Sequence, residues 1–250
     1  MTTRLRRRAT MSRRAAALTV TALAAALSAT VACGENAATP TSESPPPYPV
    51  PTLVGLTGRW LDTTVDGPAL VVNGEAWSGT TAPADLEPII TPLFGVADST
   101  LLRTWTTENA FPVAVAPAVD TFSSGTIRTE FKLLGGASDQ NAGIIFGMQP
   151  NGEYHYLRYN TKDGNVALWK FVNGAREVIK HGDVHKQLDR TAWHELVVTI
   201  NGREVSGHIA GDTTIAVRHT LDTALTGRVG IWVKRDAITA IRGFVATRAP

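Results

Sequence analysis

Apolar and polar residues alternate along most of the chain after Thr121, with the period of two that predicts β-strands. The alternating runs are rich in Val, Ile, Thr and aromatic residues, which favour strands. Turn sequences such as Asn151-Gly152, Asp163-Gly164 and Asn173-Gly174 separate them and are typical of tight hairpins. Strands about 10 residues apart with short turns predict an antiparallel β-sandwich. The predicted strands are Gly125 to Leu134, Ala142 to Met148, Tyr154 to Asn160, Val166 to Val172, Trp193 to Ile200, Val205 to Ala210, Arg228 to Lys234 and Ile238 to Ala246.

The segment from Leu53 to Pro250 is long enough for one domain, which is expected to bury about 70% of its unfolded surface. Only Pro83 to Phe94 has the pattern of a short helix or a long loop. Trp193 is expected to pack in the core with Leu196 and Val198, since Trp often closes sandwich cores.

One hairpin can be interpreted residue by residue. If Asp163-Gly164 lies in a turn of even length, parity fixes which side chains of the two flanking strands share a face. Both faces are then apolar, which suits strands with one face in the core and the other in a partly covered groove. The predicted groove face carries Tyr154, Tyr156, Arg158, Ala167, Trp169 and Phe171, joined by Arg228, Trp232 and Lys234 of a further strand; the predicted core face carries His155, Leu157, Tyr159, Val166, Leu168 and Lys170, joined by Val229, Ile231 and Val233.

Residues 1–32 differ from the rest of the chain. Six arginines precede Ala15, and no ionisable side chain follows until after Ala32. A charged start, an apolar stretch and a small residue before a cleavage point are typical of export signals. The stretch from Leu27 to Gly34 resembles the lipobox of bacterial lipoproteins, which implies acylation of Cys33, the single cysteine. A membrane-spanning anchor or a plain secretory signal is the alternative, and Arg13-Arg14 leaves a twin-arginine export route open.

Residues 33–52 have the composition of a tether, with six prolines among Ser, Thr, Asn and Glu. Without residues 1–32 the chain carries 18 basic and 22 acidic residues, so the mature protein is mildly acidic. This removes the electrostatic argument for nucleic-acid binding. The organisation predicted is a signal peptide at 1–32, a tether at 33–52 and a sandwich domain at 53–250.

The domain contains, in this order, the segments Gly125 to Lys132, Asp139 to Phe146, Tyr154 to Asn160, Trp193 to Leu196 and Gly227 to Trp232. This ordered set resembles the concanavalin A-like jelly rolls. The resemblance is to the laminin G-like and 3-keto-disaccharide hydrolase-type domains of bacterial exported proteins. It implies a jelly roll whose concave face often meets carbohydrate, in a family that includes binding modules and enzymes alike.

Catalytic motifs are missing from the sequence. Glycosidases of the laminarinase type on this fold carry Glu-x-Asp-x-x-Glu, which places two carboxylates on one strand face. No glutamate here has an aspartate two residues further on. His194-Glu195 begins like a zinc-protease motif, but Val198 stands where the second histidine is needed. Calcium is the one metal considered, with Asp139 and Asn141 as weak candidate ligands near strand ends.

The predicted carbohydrate-binding residues combine aromatic and charged side chains, because sugars stack their C–H faces on rings while charged groups bind hydroxyls. They are Tyr156, Arg158, Trp169, Trp232, Lys234 and Asp236.

From these patterns we expect a lipid-anchored extracytoplasmic protein of the cell envelope with one all-β domain that recognises glycan without catalysis. The alternatives are a glycoside-processing enzyme of the 3-keto-disaccharide hydrolase type and an envelope adhesion or protein-interaction module. We expect a monomer that binds carbohydrate and, through its lipid, a membrane. No cofactor other than calcium is considered.

Overall fold

The computed structural model describes residues 52–74, 83–95, 111–234 and 236–250. These residues form fourteen strands and one helix. The strands are β1 (Val54–Thr57), β2 (Trp60–Thr64), β3 (Pro68–Asn73), β4 (Val113–Val115), β5 (Gly125–Gly135), β6 (Asn141–Met148), β7 (Tyr154–Asn160), β8 (Asn165–Val172), β9 (Ala175–His181), β10 (His194–Asn201), β11 (Glu204–Ile209), β12 (Asp212–Thr220), β13 (Arg228–Trp232) and β14 (Ile238–Arg248), and the helix is α1 (Pro83–Phe94).

Two antiparallel sheets of seven strands each face one another. The first sheet has the order β1-β4-β13-β6-β7-β8-β9, and the second has the order β12-β11-β10-β5-β14-β3-β2. Neighbours that are distant in sequence, such as β13 beside β6 and β14 beside β5, are the crossovers of a jelly roll rather than of a simple meander. The predicted all-β sandwich is confirmed.

The eight predicted strands are all present, with ends within two residues of those expected. The hairpin register is also confirmed: β7 and β8 pair Tyr154 with Phe171, and Tyr156 with Trp169. Their connection is a four-residue turn between Asn160 and Asn165. The even length of this turn keeps the two aromatic pairs on one face.

The main core lies between the sheets. Alternate side chains of β6, β7 and β13, including Phe146, Leu157 and Ile231, meet Phe131 and Leu196 of the second sheet. Each fully buried residue of this kind contributes about 1.5–3 kcal/mol relative to an exposed one. The alternation that predicted the strands therefore also builds the interior.

A second apolar cluster lies on the other face of the first sheet. Leu86, Ile90 and Leu93 of α1 are buried there with Tyr156 and Trp232 of the sheet. Arg228 fastens the end of the helix, because its guanidinium donates to the carbonyl of Leu93. The helix thus covers part of the face that the sequence pattern had predicted as a groove.

The expectation that Trp193 packs in the core is wrong. Leu196 and Val198 point inward and are buried, whereas Trp193 lies partly exposed on the outer side of the second sheet. There the guanidinium of Arg242 lies 4.0 Å from its ring centroid, and its Nε1 donates to Asp66 at 3.3 Å.

No helix within the described ranges is long and apolar enough to cross a membrane. The predicted signal peptide, Cys33 and nearly all of the tether lie outside the described residues.

Candidate functional site

A pocket of about 310 Å³ opens on the face of the first sheet beside the second apolar cluster. Such a volume is at the small end of the range for ligand sites, about 300–1,000 Å³. It suits a small ligand better than a long polymer. The lining comes from β6 to β9, from the β7–β8 turn and from the end of β13, and consists of Asp139, Asn141, Arg158, Asn160, Lys162, Asp163, Trp169, Arg176, His181, Trp232 and Lys234.

Four of the six predicted carbohydrate-binding residues line this pocket: Arg158, Trp169, Trp232 and Lys234. They come from three different strands, or from just after one, and meet because β13, β6, β7 and β8 are consecutive neighbours in the first sheet. Tyr156 and Asp236 are not part of the lining.

Asp139 is the centre of the polar network on one side of the pocket. It is buried, its Oδ2 forms a salt bridge with Nζ of Lys234, and its Oδ1 accepts a hydrogen bond from Nδ2 of Asn160 at 2.8 Å. Asn141 accepts a hydrogen bond from the backbone amide of Lys234 at 2.8 Å. These bonds hold the side chains in fixed positions, which reduces the entropy lost when a ligand binds.

Arg158 anchors a second network at the turn between β7 and β8. Its guanidinium donates to Asp163 at 2.5 Å and to the backbone and side-chain oxygens of Asn165 at 3.3 Å. Burial lowers the pKa of Arg158 from its ordinary value, and the charge of Asp163 opposes this effect. The turn is held in one conformation by a largely buried cation.

The aromatic residues are arranged differently from the prediction. Tyr156 and Trp232 are each only 1% exposed, and their rings stack with centroids 4.3 Å apart. Burial raises the pKa of Tyr156 well above its ordinary value. The expectation that these two residues offer open ring faces to a sugar is wrong, because α1 and its neighbours cover them. Trp232 contributes to the pocket lining, whereas Tyr156 is stacked on it and does not line the pocket.

Trp169 is partly exposed, but its ring already has close neighbours. Tyr156 stacks on it at 6.2 Å, and the guanidinium of Arg176 lies 5.1 Å from its centroid. The ring of His181 meets it edge-on at 5.8 Å. Contact with a ligand is therefore expected at the ring edge and the indole nitrogen more than at a free ring face.

Three buried donors of the pocket lining have no hydrogen-bond partner of normal geometry among the described residues. They are Nδ2 of Asn141, Nε1 of Trp169 and Nε1 of Trp232. Asn141 as a whole is 0% exposed. Since a buried donor without a partner costs about 1–3 kcal/mol, a ligand oxygen that accepted from these groups would recover that energy on binding.

Asp236, which was predicted among the carbohydrate-binding residues, does not line the pocket. Its carboxylate accepts hydrogen bonds from the backbone amides of Ser138 and Asp139, the latter at 3.3 Å. It therefore fixes the loop that carries Asp139, because an acidic side chain next to a turn readily accepts from backbone amides. Its role is to position a pocket residue and not to line the pocket.

The donor set does not fit a calcium ion. Both carboxylate oxygens of Asp139 already accept from Lys234 and Asn160, and Oδ1 of Asn141 accepts from a backbone amide. Calcium needs six or more oxygen ligands, and here an ammonium group meets the carboxylate instead. Within the described part of the chain, no group of three or more His, Cys, Asp or Glu side chains is placed to hold a metal.

Neither a protein-family model nor a curated protein sequence matches the chain. Solved structures do match it. The carbohydrate-binding module CBM66 from Bacillus subtilis superposes with a TM-score of 0.54 at 14% identity, over 78% of this chain and 94% of that chain. A Bacillus subtilis protein of unknown function with a galectin-like fold has a TM-score of 0.49 at 13% identity, over 79% and 91% of the two chains. At such an identity the similarity to CBM66 shows the fold alone, a β-sandwich that the two chains share.

Sequence reasoning missed several lining residues, most notably Arg176 on β9. The turn at Asn173-Gly174 was recognised, but the strand after it was not. A two-residue turn there places Arg176 opposite Phe171, as the register shows, and so on the same face as Trp169. The length of this turn was thus the sequence signal that could have placed Arg176 on the pocket face. Asn160 and Asp163, at the ends of the β7–β8 turn, had no signal beyond their ordinary role in turns.

Proposed function

We propose that the domain is a non-catalytic carbohydrate-recognition module, and that the pocket between Asp139 and Trp169 is its binding site. The observation that carries the proposal is the fixed polar network with unpartnered buried donors, among them Nδ2 of Asn141 and Nε1 of Trp169. Sugar hydroxyls accept and donate hydrogen bonds in close pairs, which suits a wall of carboxylate, amide, ammonium and indole groups. The similarity to CBM66, a carbohydrate-binding module of the same fold, adds support.

Recognition is favoured over hydrolysis by the state of the two carboxylates in the pocket. Asp139 forms a salt bridge with Lys234, and Asp163 forms one with Arg158. Retaining and inverting glycosidases need one carboxyl group that carries a proton and a second that attacks or activates water. Two carboxylates that are each engaged by a cation are better suited to holding hydroxyl groups.

The test is a glycan array with the full chain, followed by calorimetry on the saccharide that binds most tightly. Trp169→Ala is expected to weaken that binding about tenfold or more, since it removes an unpartnered donor and part of the pocket wall. Trp193→Ala is the matched control, because it removes a tryptophan that lies on the other sheet. A protein that binds no saccharide, or a Trp169→Ala variant with unchanged affinity, would contradict the proposal.

We further propose that the domain is held outside the cytoplasm by a lipid on Cys33. The support is the lipobox-like sequence from Leu27 to Gly34 and the proline-rich segment after it. Cys33→Ser is expected to move the protein from the membrane fraction to the soluble fraction and to abolish labelling by a fatty-acid analogue. Wild-type protein that takes up no lipid would refute the anchor and leave the glycan proposal intact.

A further inference from the structure

The pocket carries more positive than negative charge, and this imbalance bears on the class of saccharide. Its lining contains four cationic side chains but only two carboxylates. Lys234 and Arg158 form salt bridges with those carboxylates, Asp139 and Asp163. The remaining cations are Lys162 and Arg176, for which the described residues provide no carboxylate within salt-bridge distance.

Arg176 is held in place by aromatic rings rather than by an acid. Its guanidinium lies 5.1 Å from the centroid of Trp169 and 5.6 Å from that of Phe111. Its charge also lowers the pKa of the buried Tyr156, against the larger effect of burial. Stacking occupies the face of a guanidinium and leaves its edge N–H groups as donors. A side-chain hydrogen bond joins Arg176 to Tyr156, and a guanidinium has five N–H donors in all, so it can also bind a planar acidic group. Arg176 is thus an exposed, oriented cation at the edge of the pocket.

The interior of the pocket provides a second, independent sign of a ligand. Nδ2 of Asn141 is a buried donor with no partner among the described residues, on a side chain that is 0% exposed. A ligand that reaches Asn141 while touching Arg176 must present a hydrogen-bond acceptor at one end and an acid at the other. An acidic sugar has both groups on one ring.

We propose that the pocket binds an anionic saccharide, with the acidic group held by Arg176 and Lys162 and the hydroxyls directed toward Asn141 and Asp139. This inference rests on the proposed carbohydrate recognition and specifies its ligand class. The proposed ligands are sugars that bear a carboxylate or a phosphate. The affinity of the protein for such a ligand is expected to fall as salt is added, because salt screens the solvent-exposed cations at the pocket edge.

The experiment compares matched ligands by calorimetry with the full chain. The first pair is an oligogalacturonate and its neutral methyl ester, and the second is glucose 6-phosphate and glucose; inorganic phosphate is titrated alone. We expect one acidic member to bind about ten to a hundred times more tightly than its neutral partner, which is the range for a hydrogen bond to a charged group. Arg176→Gln is expected to remove most of that difference and Arg176→Lys to restore part of it, whereas the exposed control Arg203→Gln leaves it unchanged.

Each outcome decides something. Preference for the uronate pair assigns a carboxylate, and preference for the phosphate pair assigns a phosphate. Equal affinity for the acidic and neutral members of both pairs overturns the anionic inference, while glycan recognition stands. Inorganic phosphate that binds as tightly as either acidic sugar also overturns it, because the site would then take an ion and not a saccharide. No binding in either pair overturns it, and the glycan array then decides separately whether the proposed function survives.

Discussion

Replacing Trp232 by alanine tests whether this tryptophan is buried in a core or exposed on a binding surface. The side chain is 1% exposed, stacks on Tyr156 at 4.3 Å, and belongs to the cluster covered by α1. Truncating a buried Trp or Phe to Ala costs about 3–5 kcal/mol, because apolar contacts are lost and a cavity remains. Domains of this size are stable by only about 5–15 kcal/mol, so the loss is a large share of the total.

The assay is thermal and urea unfolding of the variant beside the wild type. A loss of 3–5 kcal/mol corresponds to a melting temperature lower by about 10 °C in a domain of roughly 200 residues. Trp232→Phe keeps an aromatic ring in the cluster. It also removes a buried Nε1 that lacks a hydrogen bond of normal geometry among the described residues. This variant is therefore expected to lose less than half of the stability that Trp232→Ala loses.

Trp193→Ala provides the comparison, because that side chain is partly exposed and its loss is expected to cost about 1 kcal/mol. A Trp232→Ala protein with wild-type stability would refute the assignment of Trp232 to a second core. It would restore the original interpretation of this tryptophan as an exposed platform for sugars.

Two further changes test other parts of the fold. Burial, with the nearby charge of Lys170, lowers the pKa of His155 from 6.5 to about 4, so the folded protein resists protonating it. The contribution of His155 to the free energy of unfolding is then fully present above about pH 6.5, and about 3 kcal/mol of it is lost as the pH drops to 4. Urea unfolding should find this loss smaller in His155→Phe and unchanged in His185→Phe. If His155→Phe loses stability with pH as the wild type does, His155 is not the cause of the loss. Gly230→Ala places a methyl group against the carbonyl oxygen of Ala114 on β4, so it is expected to cost more than 2 kcal/mol or to abolish folding, and a stable variant would show that β4 and β13 can separate.

The fold was predictable because strand alternation and turn residues are local signals. The β7–β8 register followed from parity alone, since a turn of two or four residues gives the same set of facing side chains. The helix from Pro83 to Phe94 was recognised with the observed bounds, as one of two interpretations. β9 was missed because six of its seven residues are exposed and three of them are charged, as is common for strands at the edge of a sheet.

The candidate site was only partly predictable, for a physical reason that Tyr156 and Trp232 illustrate. Parity placed them on the correct face, away from the main core. Whether that face is open depends on where α1 packs, which is a tertiary property that the apolar pattern of the helix does not specify. Arg158 and Lys234 were predicted as ligand contacts. Asp163, which pairs with Arg158, lies in a turn, and Asn160, which donates to Asp139, lies at the edge of that turn, so neither showed a separate pattern.

The most direct test of the central claim, that the pocket binds a saccharide, is the indole region of an NMR spectrum during titration with the tightest-binding glycan. The Nε1–H of Trp169 lies in the pocket wall without a partner among the described residues, whereas Trp193 lies on the other sheet and donates to Asp66. If the pocket binds the glycan, the Trp169 resonance shifts saturably and the Trp193 resonance stays unchanged. Each resonance is assigned by its loss in the corresponding alanine variant. Saturable binding that moves Trp193 and leaves Trp169 in place would contradict it.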